Sequence, residues 1–299
     1  MYKYQLINEL KHKYTVVFIC DVIKISPKSY YKYLKKINTP QKKPDLTGLS
    51  DRIVETFTLH KGRYGYRKIH AELSKEFDSL KEHQVYKIYS DLGMECISRR
   101  KKKKKSRYSN INAAGYIYEN KLERDFTATE QNQKWVTDST MIKLVGKELH
   151  LSAVLDIYNN MVKGYGCSLT LNSELINETF EGAFLRLKNN RKPLIIHTDQ
   201  GVIYRSNFWR ELLAKQYKIE PSMSRKGNPW DNACIENFFS NLKQDLPELK
   251  DLKTIEEAKE MIKEYIDYYN NQRIQTVLGN ESPSNFNGVK VPFKKRAKG

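Results

Sequence analysis

The run Lys134-Trp135-Val136-Thr137-Asp138-Ser139-Thr140-Met141-Ile142-Lys143 alternates its side chains, and after Val145-Gly146-Lys147 the chain resumes as the more evenly apolar Leu149 to Ile157. Alternation at period two marks a strand, and a short glycine-containing break between two such runs marks a hairpin. A third strand is expected over Met161 to Leu169, a helix from about Ser173 to Lys188, and a short buried strand at Pro193-Leu194-Ile195-Ile196-His197. A helix near Phe208 to Lys215, a strand near Ile219 and a closing helix over roughly Ile255 to Tyr269 follow. From Thr127 onward the chain thus reads as α/β.

This frame delivers three acidic residues from three different settings. Asp138 lies within the first strand. Asp199, in His197-Thr198-Asp199-Gln200-Gly201, stands at the carboxyl end of the buried strand, where open α/β sheets hold their ligands. Glu236 lies on a helix whose Ile235, Phe238, Phe239, Leu242 and Leu246 form a core-facing stripe, while Asn232, Glu236 and Lys243 share another face. Asn228, Pro229 and Asp231 are expected to cap that helix. Converging carboxylates repel unless a cation joins them, and hard oxygen ligands suit Mg²⁺, which can clamp the attacking and leaving oxygens of a phosphodiester. His197 either orients a ligand or packs as a structural histidine. Trp135, Trp209 and Trp230 either stack on bases or fill the core, with Trp135 assigned to the core.

Toward the N-terminus the charge changes. The formal net charge is +18 over 299 residues; residues 1–130 carry 28 basic and 15 acidic side chains, +13, leaving +5 for the rest. Such a surplus suits a polyanion through counterion release, although charged runs are also ordinary solvated surface. Residues 4–36 read as three short helices, with Ser26-Pro27 restarting the third; the unit is either helix-turn-helix-like or a plain three-helix packing unit. A second basic helical unit carries Arg63, Tyr66, Arg67 and Lys68 in Gly62-Arg63-Tyr64-Gly65-Tyr66-Arg67-Lys68, and a helix over Gln84 to Leu92 stops at Gly93. The run from Arg99 through Arg100, Lys101, Lys102 and Lys103 to Lys105 is seven consecutive cations and is expected to lie along a DNA backbone. The resulting division is 1–45, 46–105, a linker at 106–130, and 131–299. The four cysteines are scattered singly, which argues against a disulfide framework or paired zinc ligands, and neither a signal peptide nor a membrane span is written in the sequence.

The motifs Tyr64-Gly65-Tyr66-Arg67, Trp135-Val136-Thr137-Asp138, His197-Thr198-Asp199-Gln200-Gly201 with Tyr204 and Ser206, Ser222 to Asn228, Asp231-Asn232-Ala233, Tyr269-Asn270 with Arg273, and Ser282-Pro283 occur in one order. In that order they resemble bacterial insertion-sequence transposases of the retroviral-integrase superfamily, of the second-reading-frame (OrfB) type. The resemblance spans nearly the whole chain. It implies a ribonuclease-H-like mixed five-stranded sheet flanked by helices, preceded by small all-α helix-turn-helix-like units, with Asp138, Asp199 and Glu236 as catalytic metal ligands for Mg²⁺, for which Mn²⁺ can substitute. It also implies binding of terminal-repeat and target DNA, 3′-end cleavage with strand transfer, a homo-oligomer on DNA, a first-frame (OrfA) protein as partner or fusion, and a cytoplasmic, nucleoid-associated setting. Arg225, Lys226 and Lys243 join the expected DNA contacts. Between Asp199 and Glu236 lies one residue more than is usual in the family, placed near Lys215 to Glu220. Two rivals stand beside this reading: a catalytically inactive DNA-binding regulator of transposition, and an RNase-H-like structure-selective nuclease.

Overall fold

The structure, a computed structural model, describes residues 2–38, 46–97, 115–185, 187, 192–215, 218–225, 229–288 and 290. β1 (Lys134–Leu144) and β2 (Lys147–Asp156) pair antiparallel, with Asp138 opposite Ala153, and Gly146 turns the hairpin at φ +68°. β3 (Val162–Ser168) pairs antiparallel with β2. After α1 to α6, described below, α7 (Ser173–Leu185) returns the chain to β4 (Leu194–Thr198), parallel to β1, and α8 (Asn207–Ala214) returns it to β5 (Ile219–Met223), parallel to β4. The sheet order is β3-β2-β1-β4-β5, the mixed five-stranded arrangement expected of a ribonuclease-H-like core.

Strand alternation sends neighbouring residues to opposite faces. Trp135, Val154 and Ile196 pack with Ile176, Phe180 and Trp209 of α7 and α8. Val136, Ala153 and Leu155 face the other way, toward α9 (Ala233–Asp245) and α10 (Ile255–Asn271). A sheet covered on both sides needs apolar residues on both faces, so β2 is buried without a break over its last six residues. Gly164 sets the approach of β3 to α7: a Cβ there would stand 2.2 Å from the Thr179 carbonyl oxygen and 2.7 Å from Ala183 N. Gly164→Ala is expected to push strand and helix apart at about 1–3 kcal/mol, measured by urea unfolding.

α9 buries Ile235, Phe238, Phe239 and Leu242 as its spacing predicts, but its start differs. The helix begins at Ala233 behind a 3-10 turn over Pro229–Asn232, with Asn232 at its N-cap position and no side-chain cap hydrogen bond there. The buried carboxylate of Asp231 accepts from Arg124 Nε at 2.8 Å, Arg225 Nε and Nη2 at 2.9 Å and Asn120 Nδ2 at 3.0 Å. Two guanidinium groups stabilise a carboxylate more than one backbone N–H does, and they hold Asp231 well below the usual carboxylate range. Asn228 lies outside the described residues, as do Gln216 and Tyr217 in the segment assigned the extra residue.

The N-terminal region is helical. α1 (Tyr2–Leu10), α2 (Val16–Val22) and α3 (Pro27–Asn38) enclose Ile7, Ile19, Cys20 and Tyr30, and Ser26 Oγ accepts from Ser29 N at 3.2 Å in the expected restart. α4 (Leu49–Leu59), α5 (Tyr66–Leu73) and α6 (Glu82–Asp91) share one hydrophobic core with α9 and α10. Tyr64 fixes the junction: its hydroxyl accepts from Ile274 N at 2.8 Å, and its ring stacks on His60 at 3.7 Å. Residues 115–130 follow the sheet edge, Tyr116 N donating to Arg205 O and Lys121 N to Ser222 Oγ, each at 2.9 Å.

Candidate active site

The strand register places two of the three acidic residues. β1 and β4 run parallel with Val136 opposite His197, so the register carries Asp138 and Asp199, each two residues further on, toward the same end of the sheet, and the charge of Asp199 is felt at Asp138. Asp138 is half-buried and its Oδ1 accepts from Ser139 N at 2.7 Å. Asp199 ends β4 in a tight turn in which its Oδ1 accepts from Gly201 N at 2.8 Å. A Cβ on Gly201 would fall 2.8 Å from that same oxygen, so only glycine permits the turn undistorted. Gln200 ties the turn to the end of β5 by donating to Ser224 O at 3.0 Å.

Glu236 arrives from the other layer, exposed on the first turn of α9. Two turns along the helix, Lys243 Nζ donates to Thr140 Oγ1 at 2.6 Å, and Thr140 lies two residues beyond Asp138 on β1. That bond pins α9 across the strand bearing Asp138. The proton affinity of Asp138 is pushed up to about 8 by burial, then by the charge of Asp199 and that of Glu236, against the Ser139 N–H and Lys243. Asp199 is also raised, by burial, against the Gly201 N–H. Asp138 therefore lies in the field of both other carboxylates. Among the described residues no His, Cys, Asp or Glu group of three is already drawn together as a metal cage. The donor set nonetheless fits a hard divalent cation: two acidic residues whose negative charge is unfavourable in their surroundings, and a third, exposed, whose charge reaches Asp138.

The floor beneath the aspartates is closed. Tyr204 is buried with its ring edge-on to Trp209 at 5.1 Å, and burial together with the charges of Asp138 and Asp199 raises its hydroxyl well above its ordinary value. In the sequence Gly201 and Tyr204 stand two and five residues after Asp199 in the motif that begins at His197, a position that names no role for either. His197 is the packed structural histidine: it is buried, its Nδ1 lies 2.8 Å from Ser222 Oγ, and burial lowers its pKa to about 4. Trp135 and Trp209 are core residues.

The expected DNA contacts separate into groups. Arg63 is a correction: it is buried, its Nε donates to Asp245 O at 3.3 Å and its guanidinium lies 4.9 Å from the Tyr268 ring centre. A planar cation sandwiched by rings and a carbonyl is withdrawn from phosphates, and it fastens the helical unit to the core. Tyr66 is half-buried against Tyr86 and Tyr89; Arg67 is exposed and pairs with Glu82 at 3.1 Å. Lys68 is half-buried over the Tyr64 ring at 4.8 Å. Arg225 is exposed but gripped by Asp231, and Lys243 faces Thr140. Arg99, Arg100, Lys101, Lys102, Lys103 and Lys226 lie outside the described residues.

A mixed five-stranded sheet of this order flanked by helices has the ribonuclease-H-like architecture of an integrase-type core. Family models described as "Integrase core domain" match residues 128–229 and 217–283, and an "HTH-like domain" model matches 45–102. Across 93% of its length the chain is 34% identical to the putative transposase InsK for insertion sequence element IS150 of Escherichia coli, covering 95% of that protein. It is 33% identical to the transposase for insertion sequence element IS904 of Lactococcus lactis, over 80% of this chain and 92% of that one. Against the transposase InsF for insertion sequence IS3A of Escherichia coli the identity is 28%, over 95% and 98% of the two chains. The chain belongs to the insertion-sequence transposases with an integrase core.

Proposed function

We propose that the chain binds the ends of its insertion sequence and catalyses 3′-end cleavage followed by strand transfer, with Asp138, Asp199 and Glu236 holding Mg²⁺, or Mn²⁺ in its place. The observation that carries this reading is the register that brings Asp138 and Asp199 toward the same end of the sheet, where the charges of Asp199 and Glu236 both raise the proton affinity of Asp138. A bound divalent metal would supply an acidified water or 3′-hydroxyl as nucleophile and stabilise the leaving oxygen. The chain's own residues do the positioning. Gly201 N–H and Ser139 N–H each hold one carboxylate oxygen, the Lys243–Thr140 bond fixes the helix that brings Glu236, and Tyr204 with Trp209 closes the site from behind.

The working form we infer is a homo-oligomer on terminal-repeat and target DNA, cytoplasmic and nucleoid-associated, with a first-frame protein as partner. No helix among the described residues is long and apolar enough to cross a membrane. The test is incubation of the full chain, with and without a first-frame partner, with labelled element-end duplex and Mg²⁺. Nicking at the 3′ end followed by joining supports the reading; DNA binding without any cleavage under all conditions makes the protein a silent regulator, and cleavage confined to RNA–DNA hybrids makes it a nuclease. Replacing Arg99 to Lys105 with neutral residues is expected to weaken binding on every DNA sequence and flatten its salt dependence, in proportion to the phosphates released. Titration of the binding constant against salt measures this, and an unchanged slope removes the run from the interface.

A further inference from the structure

Between the second helical unit and the catalytic core lies a cavity of about 840 Å³, inside the roughly 300–1,000 Å³ span of small-molecule sites. Its walls come from α5, from the face of α9 bearing Asn237 and Asn241, and from the turn after α10. Five cations line it, Arg63, Arg67, Lys68, Arg273 and Lys290, and no carboxylate does. Four of these have partners: Arg63 its rings and carbonyl, Arg67 Glu82, Arg273 Asp245, and Lys290 the Asn160 side chain at 2.7 Å. Lys68 differs. Its ammonium rests over the Tyr64 ring, and among the described residues no oxygen accepts a hydrogen bond from it. Burial and the neighbouring Arg273 lower its pKa to about 7, so an entering anion would supply the counter-charge it lacks.

The rest of the lining is of another kind. Asn237 and Asn241, one turn apart on α9, line the cavity with side-chain amides of the sort that read base edges, the Asn241 oxygen accepting from Arg273 Nη2 at 3.4 Å, and Tyr66 adds an aromatic ring with the Arg67 guanidinium 5.0 Å from its centre. An anion seat, amide groups and an aromatic wall within one cavity match the parts of a nucleotide.

We propose that this cavity holds one nucleotide, its phosphate on Lys68 and its base against Tyr66 and the amides of Asn237 and Asn241. The source rests on the DNA-acting reading above: one unit unstacked from the bound strand. A free nucleotide has the same chemistry, and the two sources are separable. The cavity also explains why Tyr66, Arg67 and Lys68 adjoin a recess instead of forming a flat basic face.

The test has two arms, both with the full chain. In the first, element-end duplexes each carry one mismatched pair at successive positions; a mismatch lowers the cost of unstacking a base. One position is expected to bind about tenfold tighter than the matched duplex, and Lys68→Met and Asn237→Leu are expected to lose that gain while keeping the wild-type unfolding midpoint within a few degrees. In the second, the four free deoxynucleoside monophosphates are titrated calorimetrically at pH 8, where binding to wild type should take up a proton on Lys68 and binding to Lys68→Met should vanish. A gain in the first arm assigns the strand as source, and binding in the second alone assigns a free nucleotide; both support the cavity. Matched duplex bound, with no mismatch gain and no free-nucleotide binding, overturns it and leaves the transposase reading standing. Free nucleotide bound by a chain that ignores element-end DNA does the reverse.

Discussion

Asp138→Asn, Asp199→Asn and Glu236→Gln are each expected to reduce metal-dependent cleavage and joining of element-end DNA more than about a thousandfold, about 4 kcal/mol on the barrier, with duplex affinity nearly unchanged. The expectation follows from what each amide removes. Asp138 and Asp199 come from adjacent parallel strands, so converting either to an amide takes away an anionic oxygen donor without altering the volume of the site. Glu236 is exposed on α9, and Gln keeps its length and helix preference, so loss of function there could not be attributed to misfolding. Calorimetric titration with Mg²⁺ gives a readout independent of turnover: each variant should bind the metal more weakly than wild type. A variant that cleaves within about tenfold of wild type removes that residue from the metal site.

Most of the architecture was legible because its causes are local. Alternation in Lys134–Leu144 and the even hydrophobicity of Leu149–Ile157 follow from one strand pairing at a covered sheet centre, and both appear as read. The convergence of Asp138 and Asp199 was legible as chemistry but not as geometry, since pairing β4 with β1 requires knowing where α7 returns the chain. Arg63 shows where composition misleads. A basic residue in a basic segment reads as a phosphate contact, yet whether its guanidinium meets solvent or the Tyr268 ring depends on docking against α10, about two hundred residues away. Asp231 was legible only in part for the same reason: its partner Arg124 comes from the strap along the sheet edge, which no local pattern announces.

Arg273→Ala is expected to cost about 3–5 kcal/mol of folding stability, because it leaves a carboxylate buried without its cation. Asp245 is fully buried at the end of α9; its Oδ2 accepts from Arg273 Nε and from the Tyr265 hydroxyl, both at 3.0 Å, and its Oδ1 has no hydrogen-bond partner. Removing Arg273 leaves that anion one neutral donor in an apolar surround. Asp245→Leu alone should be costly for the mirror reason, stranding the Arg273 guanidinium, which is itself 7% exposed. The double variant Asp245→Leu with Arg273→Leu should recover much of either loss, and the non-additivity in a double-mutant cycle is the measurement, read from urea unfolding. Simple additivity would show that the two side chains do not act as a pair. The consequence reaches the active site because Asp245 closes the helix that carries Glu236, and its carbonyl accepts from Arg63 of the helical unit. In Arg273→Ala, below its unfolding midpoint, cleavage should fall further than duplex binding, since Asp138 and Asp199 keep their sheet positions while α9 loses its anchor.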